Sequence, residues 1–415
     1  MSVVIDEDDF EYETDNLDEN AVYDVKIKVI GVGGGGCNAV EHMAKLYARD
    51  AEAILEKGGT PIQEHIEFIA MNTDVAALKN KEKTLMRRVQ IGKKCCKGRG
   101  AGGRPEVAAE AAKESRDEIE SLISGAAIVF IAAGMGGGTG TGAAPIVAEI
   151  AQELNIITVG VVTKPFEFER EHKMNQAMKG IDEMRKHVDA LLIIPNERLL
   201  KLNEKMLGFR QAFSMVDDVL YRSVKIVSDI VTTANGTINT DFADLCTILA
   251  NAGDAHIAIG TASGENKIKE AVSQVVNSPL LETSIANATK LLVNVTLSGD
   301  SSIRDLHDSI SLITAAAAPE VEMIQGVNQN DELTDTISIA VIAAGFKTDT
   351  KKRPEVEISV NGSKVQTAPK SVSETIETTS SNDMLAKIIT STLGNLQEKE
   401  RYAELEDIFR SRNRD

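Results

Sequence analysis

Apolar runs of strand length alternate with stretches of helical period through the first half of the chain. Lys26-Ile27-Lys28-Val29-Ile30 alternates like a strand entering a sheet, and Ala39–Ala44 has helical spacing. Ile66–Met71, Ala126–Ala133, Ile156–Val162 and Ala190–Pro195 read as buried strands. An amphipathic helix is expected around Val107–Ile123. A second follows Gly142, with Ile146, Val147, Ile150 and Leu154 on one side. Its Pro145 is expected in the first turn, where a missing N–H costs nothing. Strands alternating with helices predict an α/β fold: a Rossmann-like parallel sheet over residues 25–207, covered on both faces, with ligands at the carboxyl ends of its strands. Over 208–236, Phe213, Val216, Leu220, Val224, Val227 and Val231 recur every three or four residues, and Asn235-Gly236 supplies a stop. A helix this long suits a spine between two domains. Beyond it, His256–Thr261, Leu291–Leu297 and Thr336–Ala343 read as strands of a smaller α+β domain over 237–347, ending near Phe346.

Charge changes this picture at the two ends. The chain has 415 residues and a net charge of −18, which argues against general binding of nucleic acid or anionic membranes. Ten of the acids lie in residues 1–24, which hold no Lys or Arg, so that segment reads as a solvated, disordered tail. It has neither the basic start nor the apolar run of a secretory signal, and no stretch approaches the roughly 20 apolar residues of a bilayer span. A cytoplasmic protein is expected. Residues 348–400 are rich in Pro, Ser, Thr, Lys and Glu and read as a flexible linker, with one marginal helix at Met384–Leu396. Residues 401–415 set Ile408-Phe409 between acidic and Arg-rich flanks, the pattern of a docking peptide or of a solubilising tail. The four cysteines and six histidines form no CxxC pair, zinc cluster or HExxH pattern.

Candidate chemistry begins at Gly134–Gly142, six glycines and two threonines between a buried strand and a helix start. Glycines let a loop turn tightly and aim its N–H groups at one point, and the helix N-terminus adds free donors and partial positive charge. Such a place binds phosphate. Gly31–Asn38 repeats the strand, glycine loop and helix arrangement and fits GxGxxG through Gly31, Gly33 and Gly36, which raises an NAD-dependent oxidoreductase as an alternative. The acid that pattern needs about 20 residues on is not convincingly present, and no GxxxxGK[ST] loop exists. A third glycine segment, Gly98–Gly103, precedes the Val107 helix. Three such loops at one sheet edge could surround a polyphosphate.

Gly136–Gly142, with Val29–Gly36, Asn72-Thr73-Asp74, Val162–Phe166 and Asn239–Asp244, resembles the tubulin superfamily and within it the FtsZ family of bacterial cell division, in the family's order over roughly residues 25–346. The resemblance implies a GTPase that polymerises head to tail. It assigns phosphate binding to Gly33, Gly34, Gly35, Gly36 and Asn38, to Ala101, Gly102 and Gly103, and to Gly134, Gly136, Gly137, Gly138 and Gly140. Thr139 and Thr141 add hydroxyls, and Asn72 approaches the γ-phosphate. It places Glu169 on the ribose, and Asn196 with Asp218, next to Asp217, on guanine. Phe213 either stacks on the base or packs in the core. Lys173 stands where the family often has Arg, so it keeps the charge but loses the bidentate fork, and Arg170 is a substitute. The charged insertion at about 47–65 is longer than the family leads one to expect.

No base for activating water lies near the glycine loops in sequence. Asp241 and Asp244, at i and i+3 of a helical first turn, suit helix capping on physical grounds alone. The resemblance instead inserts them, with Asn239, into the neighbouring subunit's pocket as catalytic residues, so that the active site is completed in trans. It further implies GTP and GDP as ligands, Mg2+ held mainly by phosphates and water, and self-assembly into filaments. Division adaptors and membrane-anchoring proteins would bind the C-terminal peptide, giving a ring at the division site. A tubulin-like filament protein with another cytoskeletal or partitioning role is the second alternative.

Overall fold

The computed structural model describes residues 25–56, 66–200, 208–232, 242–281, 283–330 and 333–346. The first half runs β1 (Ile27–Val32), α1 (Gly33–Glu56), β2 (Ile66–Asn72), α2 (Val75–Lys79), β3 (Arg87–Gln90), α3 (Pro105–Glu114), α4 (Arg116–Ile123), β4 (Ile128–Gly134), α5 (Thr139–Glu153), β5 (Ile157–Lys164), α6 (Glu171–Met184) and β6 (Ala190–Pro195). Then come α7 (Asn196–Leu200), α8 (Phe209–Thr232), α9 (Phe242–Leu249), β7 (Gly253–Ser263), α10 (Lys267–Val276), β8 (Lys290–Ser298), α11 (Ile303–Ala316), β9 (Glu322–Asn330) and β10 (Thr336–Ala344). The strands form one ten-stranded sheet in the order β3-β2-β1-β4-β5-β6-β7-β10-β8-β9. The first six are parallel throughout; β10 is antiparallel to both β7 and β8.

Burial on both faces explains the unbroken apolar strands of the first half. Ile128, Phe130 and Ala132 of β4 join the core beneath α1 and α8, whereas Val129, Ile131 and Ala133 face the core shared with α3, α4 and α5. A third core, with Val275, Val293, Ile313 and Val341, fills the second half. The two halves meet where β6 pairs with β7 over three residues, Ala190–Leu192 against Gly253–Ala255. No described helix is long and apolar enough to cross a membrane.

Several expectations about boundaries are corrected. Helix α1 begins at Gly33 rather than Ala39, so the first glycine run is its opening turn and not a loop. Close packing there outweighs the poor helix propensity of glycine: a Cβ on Gly36 would lie 2.2 Å from the Ala132 carbonyl oxygen. Helix α5 likewise begins at Thr139, which moves Pro145 out of the first turn and into a buried site within the helix. The helix expected over Val107–Ile123 is two, broken at Ser115, whose Oγ accepts from the Gly92 N–H. The edge strands β3 and β9, which lack a long apolar run, were not foreseen. Part of the 47–65 insertion simply lengthens α1. The acidic tail, linker, C-terminal peptide and the Asn235-Gly236 stop lie outside the described residues.

Candidate functional site

The three glycine segments converge at the carboxyl edge of β1, β3 and β4. A Cβ on Gly33 would lie 2.7 Å from the Gly140 nitrogen, and one on Gly138 would lie 3.1 Å from Ala101 Cβ and from the Gly103 carbonyl carbon. Gly34, Gly102, Gly103 and Gly137 face open space instead, so the segments leave a cradle on their outer side. The N-termini of α1 and α5 both open there, and their free N–H groups make the cradle suited to an anion. Gly136 turns with φ +101°, where a side chain would also press on the Lys173 carbonyl, so this turn requires glycine.

Side chains hold the cradle in shape. The Thr141 hydroxyl, buried, accepts from the Gly136 N–H at 2.9 Å. Thr139 Oγ1 meets Thr73 Oγ1 at 2.8 Å, tying α5 to the end of β2. Asn72 is buried and its Oδ1 accepts from the Asp74 N–H, while Asp74 caps α2. Gln176 of α6 is a residue that sequence reasoning missed. Its Nε2 donates to the carbonyls of Gly103, Gly136 and Gly137, at 3.1, 3.2 and 2.8 Å. One amide thus staples two glycine segments together.

Beside the cradle, α1 packs on α8 and creates a polar cluster. Lys81 Nζ donates to Asn38 Oδ1 at 2.5 Å and pairs with Glu41 at 2.8 Å. His42 Nε2 lies 2.7 Å from Asp218 Oδ1, a contact absent from the sequence-level assignment. Burial pushes the neighbouring Asp217 carboxyl up to about 6; the Asp218 charge adds to the shift, and His42 and Lys81 oppose it. Phe213, more than a third exposed, sits edge-on to buried Phe166 at 5.2 Å, and Phe166 in turn stacks on Phe168. Glu169 accepts from the Phe166 N–H and pairs with Lys173 at 3.0 Å, so the Lys173 ammonium is held by a carboxylate rather than standing alone. Arg170 is exposed at φ +76°. Asn196, at the carboxyl end of β6, is buried, and its Oδ1 has no hydrogen-bond partner. An unpaired buried amide oxygen is costly, so it marks a place for a donor from outside the chain.

Asp244 lies elsewhere. Helix α8 starts at the cradle side and its 24 residues extend about 36 Å. Helix α9, which carries exposed Asp244 in its first turn, feeds after three residues into Gly253, opposite the first residue of β6. That is the amino edge of the parallel strands, across the sheet from the glycine segments. Asn239 and Asp241 fall outside the described residues.

Comparison with known proteins agrees with this architecture. The model of the Tubulin/FtsZ family, GTPase domain, matches residues 26–204, and that of the FtsZ family, C-terminal domain, matches 253–347. An FtsZ dimer from M. jannaschii is 34% identical with a TM-score of 0.69, the match covering 80% of this chain and 95% of that one. A point mutant of M. jannaschii FtsZ is 36% identical, also with a TM-score of 0.69, over 78% and 91%. CetZ2 from Haloferax volcanii, solved as a GTPγS-bound protofilament, shares the fold at 18% identity and a TM-score of 0.62, over 78% and 93%. The chain therefore belongs to the Tubulin/FtsZ family of GTP-binding GTPases and carries the FtsZ C-terminal domain.

Proposed function

We propose that this chain polymerises head to tail, hydrolyses GTP at the contacts between subunits, and serves bacterial-type cell division. The observation that carries the shared site is that α9, the helix of Asp244, runs into β7 at the edge opposite the glycine cradle. A carboxylate there cannot serve its own cradle, yet head-to-tail stacking sets it against the next subunit's. In this reading the N–H groups of Gly33–Gly36, Ala101–Gly103 and Gly134–Gly140 hold the phosphates, with Asn38, Asn72, Thr139 and Thr141 supporting them. Glu169 takes the ribose, and Lys173 lies close by. Asn196 Oδ1 accepts from the base, Asp218 accepts from guanine N1–H and the 2-amino group, and Phe213 offers its exposed face. Asp217 lines the same end of α8. Asp244, with Asn239 and Asp241, positions the attacking water of the neighbour, as other GTPases receive a catalytic group in trans. Thr73 and Thr139 offer hydroxyl oxygens at the cradle, a donor set suited to Mg2+ carried mainly by phosphate and water; the ion would neutralise charge on the phosphates.

Turnover per subunit is expected to rise steeply with protein concentration, and a flat specific activity into the monomer range would refute a shared site. Asp244→Ala should keep GTP affinity while turnover falls by about a hundredfold or more, the scale of losing a group that acts on the nucleophile. Loss of binding would instead assign Asp244 to the fold. The division role draws support from the peptide at 401–415, set beyond a long polar segment where adaptor and membrane-anchoring proteins could reach it. A tagged chain should form a ring at the division site; a distribution unrelated to division would favour another tubulin-like role.

A further inference from the structure

Helix α9 carries Asp244, but its own residues do little to fix its axis. Leu245, Cys246, Ile248 and Leu249 are buried, and apolar burial is non-directional, so it holds the helix down without aiming it. The last turn has no basic residue, and the carbonyls left open there have no cation from within the helix. The cation comes from β8. Lys290, its first residue, donates from Nζ to the carbonyls of Thr247, Ile248 and Ala250 at 2.9, 3.1 and 3.1 Å. An ammonium has three N–H groups, and here they meet three carbonyls at the negative end of a helix dipole. Burial draws this lysine below the usual ammonium range, with the Glu322 charge opposing. Two backbone bonds fix the chain just past the helix. The Gly345 N–H donates to the Ala252 carbonyl at 3.0 Å, and the Gly253 N–H to that of Asp189 at 2.9 Å.

The clamp therefore grips one end of α9 while Asp244 stands in the turn at the other. Five residues separate Asp244 from Leu249, about 7.5 Å along the axis. A tilt of about 8° about the clamped end moves Asp244 by about 1 Å, a misplacement that can cost about a hundredfold in rate. Lys290 and Glu322 open β8 and β9, which run parallel to each other and antiparallel to β10, as β7 does. The clamp thus lies on the same edge as α9 and away from the glycine segments. We propose that Lys290 is a positioning residue for hydrolysis: it ties the carboxyl end of α9 to the second half and so aims Asp244 at the neighbouring subunit's cradle. The inference rests on the shared-site reading above. It makes the aim a property of the subunit that supplies α9, not of the one that holds the nucleotide.

The test uses the full chain with Lys290→Met, which keeps the apolar stem and removes the donors. It reads GTP affinity of the monomer, sedimentation with a slowly hydrolysed GTP analogue, and turnover at saturating GTP. Turnover is expected to fall about tenfold or more, with affinity and sedimentation unchanged. Mixing Lys290→Met with Asp244→Ala then shows which subunit the lysine serves. If Lys290 aims Asp244, every α9 in the mixture is impaired and turnover does not recover. If Lys290 serves its own cradle, the sound cradle of an Asp244→Ala subunit meets a sound Asp244, and the mixture turns over faster than either variant. That recovery, an unchanged turnover, or a loss matched by weaker GTP binding or sedimentation overturns the positioning role alone. Should Lys290→Met fail to fold, Lys290→Gln takes its place with the same readouts. Full turnover in Asp244→Ala refutes the shared site, and the role of Lys290 with it.

Discussion

Asp217 and Asp218 are adjacent in sequence but have different surroundings. Asp218 leans on His42, whereas Asp217 is desolvated and its carboxyl is raised from 3.8 to about 6. The native state therefore binds more protons than the unfolded chain between these values, and stability falls as pH rises from about 4 through 6. Asp217→Asn should stabilise the protein by up to about 3 kcal/mol at pH 7 and by almost nothing about one pH unit below the ordinary carboxyl value of 3.8, measured as the difference in thermal unfolding from the parent. An equal difference at both pH values would show that burial of the charge is not the cause. If Asp218 reads guanine, the His42 contact orients the reader. His42→Ala should then lower the preference for GTP over ITP, which lacks the 2-amino group, by about tenfold, the scale of one hydrogen bond to a charged group, with His42→Gln restoring it. Equal weakening of both nucleotides would leave His42 a packing role. Asp218 and Asn196 entered through the family resemblance; His42 did not, because 176 residues separate it from Asp218 and only the docking of α1 on α8 joins them. Gln176 escaped for the same reason.

At the scale of elements, the glycines of one loop answer to different constraints. Gly142 lets α5 touch α3: a Cβ there would lie 2.0 Å from the Pro105 carbonyl oxygen, with backbone on both sides and no flexible side chain to yield. Gly137, five residues earlier, faces open space at an ordinary φ. Gly142→Ala should cost about 3 kcal/mol or more, as overpacking against rigid backbone does, whereas Gly137→Ala should stay within about 1 kcal/mol, judged by denaturant unfolding without nucleotide. Matching losses would mean that the loop relaxes as a unit. The alternation of strands and helices was readable because each central strand is apolar along its whole length and each long helix keeps one apolar stripe. Helix starts were not. Glycine in α1 and proline inside α5 contradict local propensity, and they are tolerated because contacts with distant backbone hold those turns in place. The break at Ser115 was equally hidden, since it depends on a hydrogen bond from Gly92.

Across the whole molecule, the two halves share one sheet and one of its cores, but the strand ladder between them is short. β5 pairs with β6 over six residues, and β6 with β7 over only three. Side chains reinforce the junction. Arg185, at the end of α6, grips Asp254 of β7 through Nε and Nη2 at 2.8 and 3.1 Å, and its Nη1 holds Asp182. Arg198 of α7 donates to the carbonyls of Pro279 and Leu281 in the second half, and Tyr221 and Lys225 of α8 both reach Asp50 of α1. A planar guanidinium forked on a carboxylate fixes orientation as well as distance, which a lysine could not reproduce. The core beneath α1 and α8 also crosses the junction, taking in Ala255, Ile257, Leu292 and Ile342 of the second half, so the ion pair sets the relative pose of halves that already share apolar packing. Sequence showed the two halves through their separate strand patterns. It could not show the lacing, which depends on a three-residue ladder and on a pair 69 residues apart. Removing Arg185 leaves Asp254 half-buried beside a short ladder, so Arg185→Ala should uncouple the halves before it unfolds either. Calorimetry should then show the calorimetric enthalpy exceeding the van't Hoff enthalpy, or two resolved transitions, where the parent gives one. Arg185→Lys should give an intermediate result. A single two-state transition, merely shifted to lower temperature in both variants, would instead show that β6 and β7 unite the cores without help from the pair.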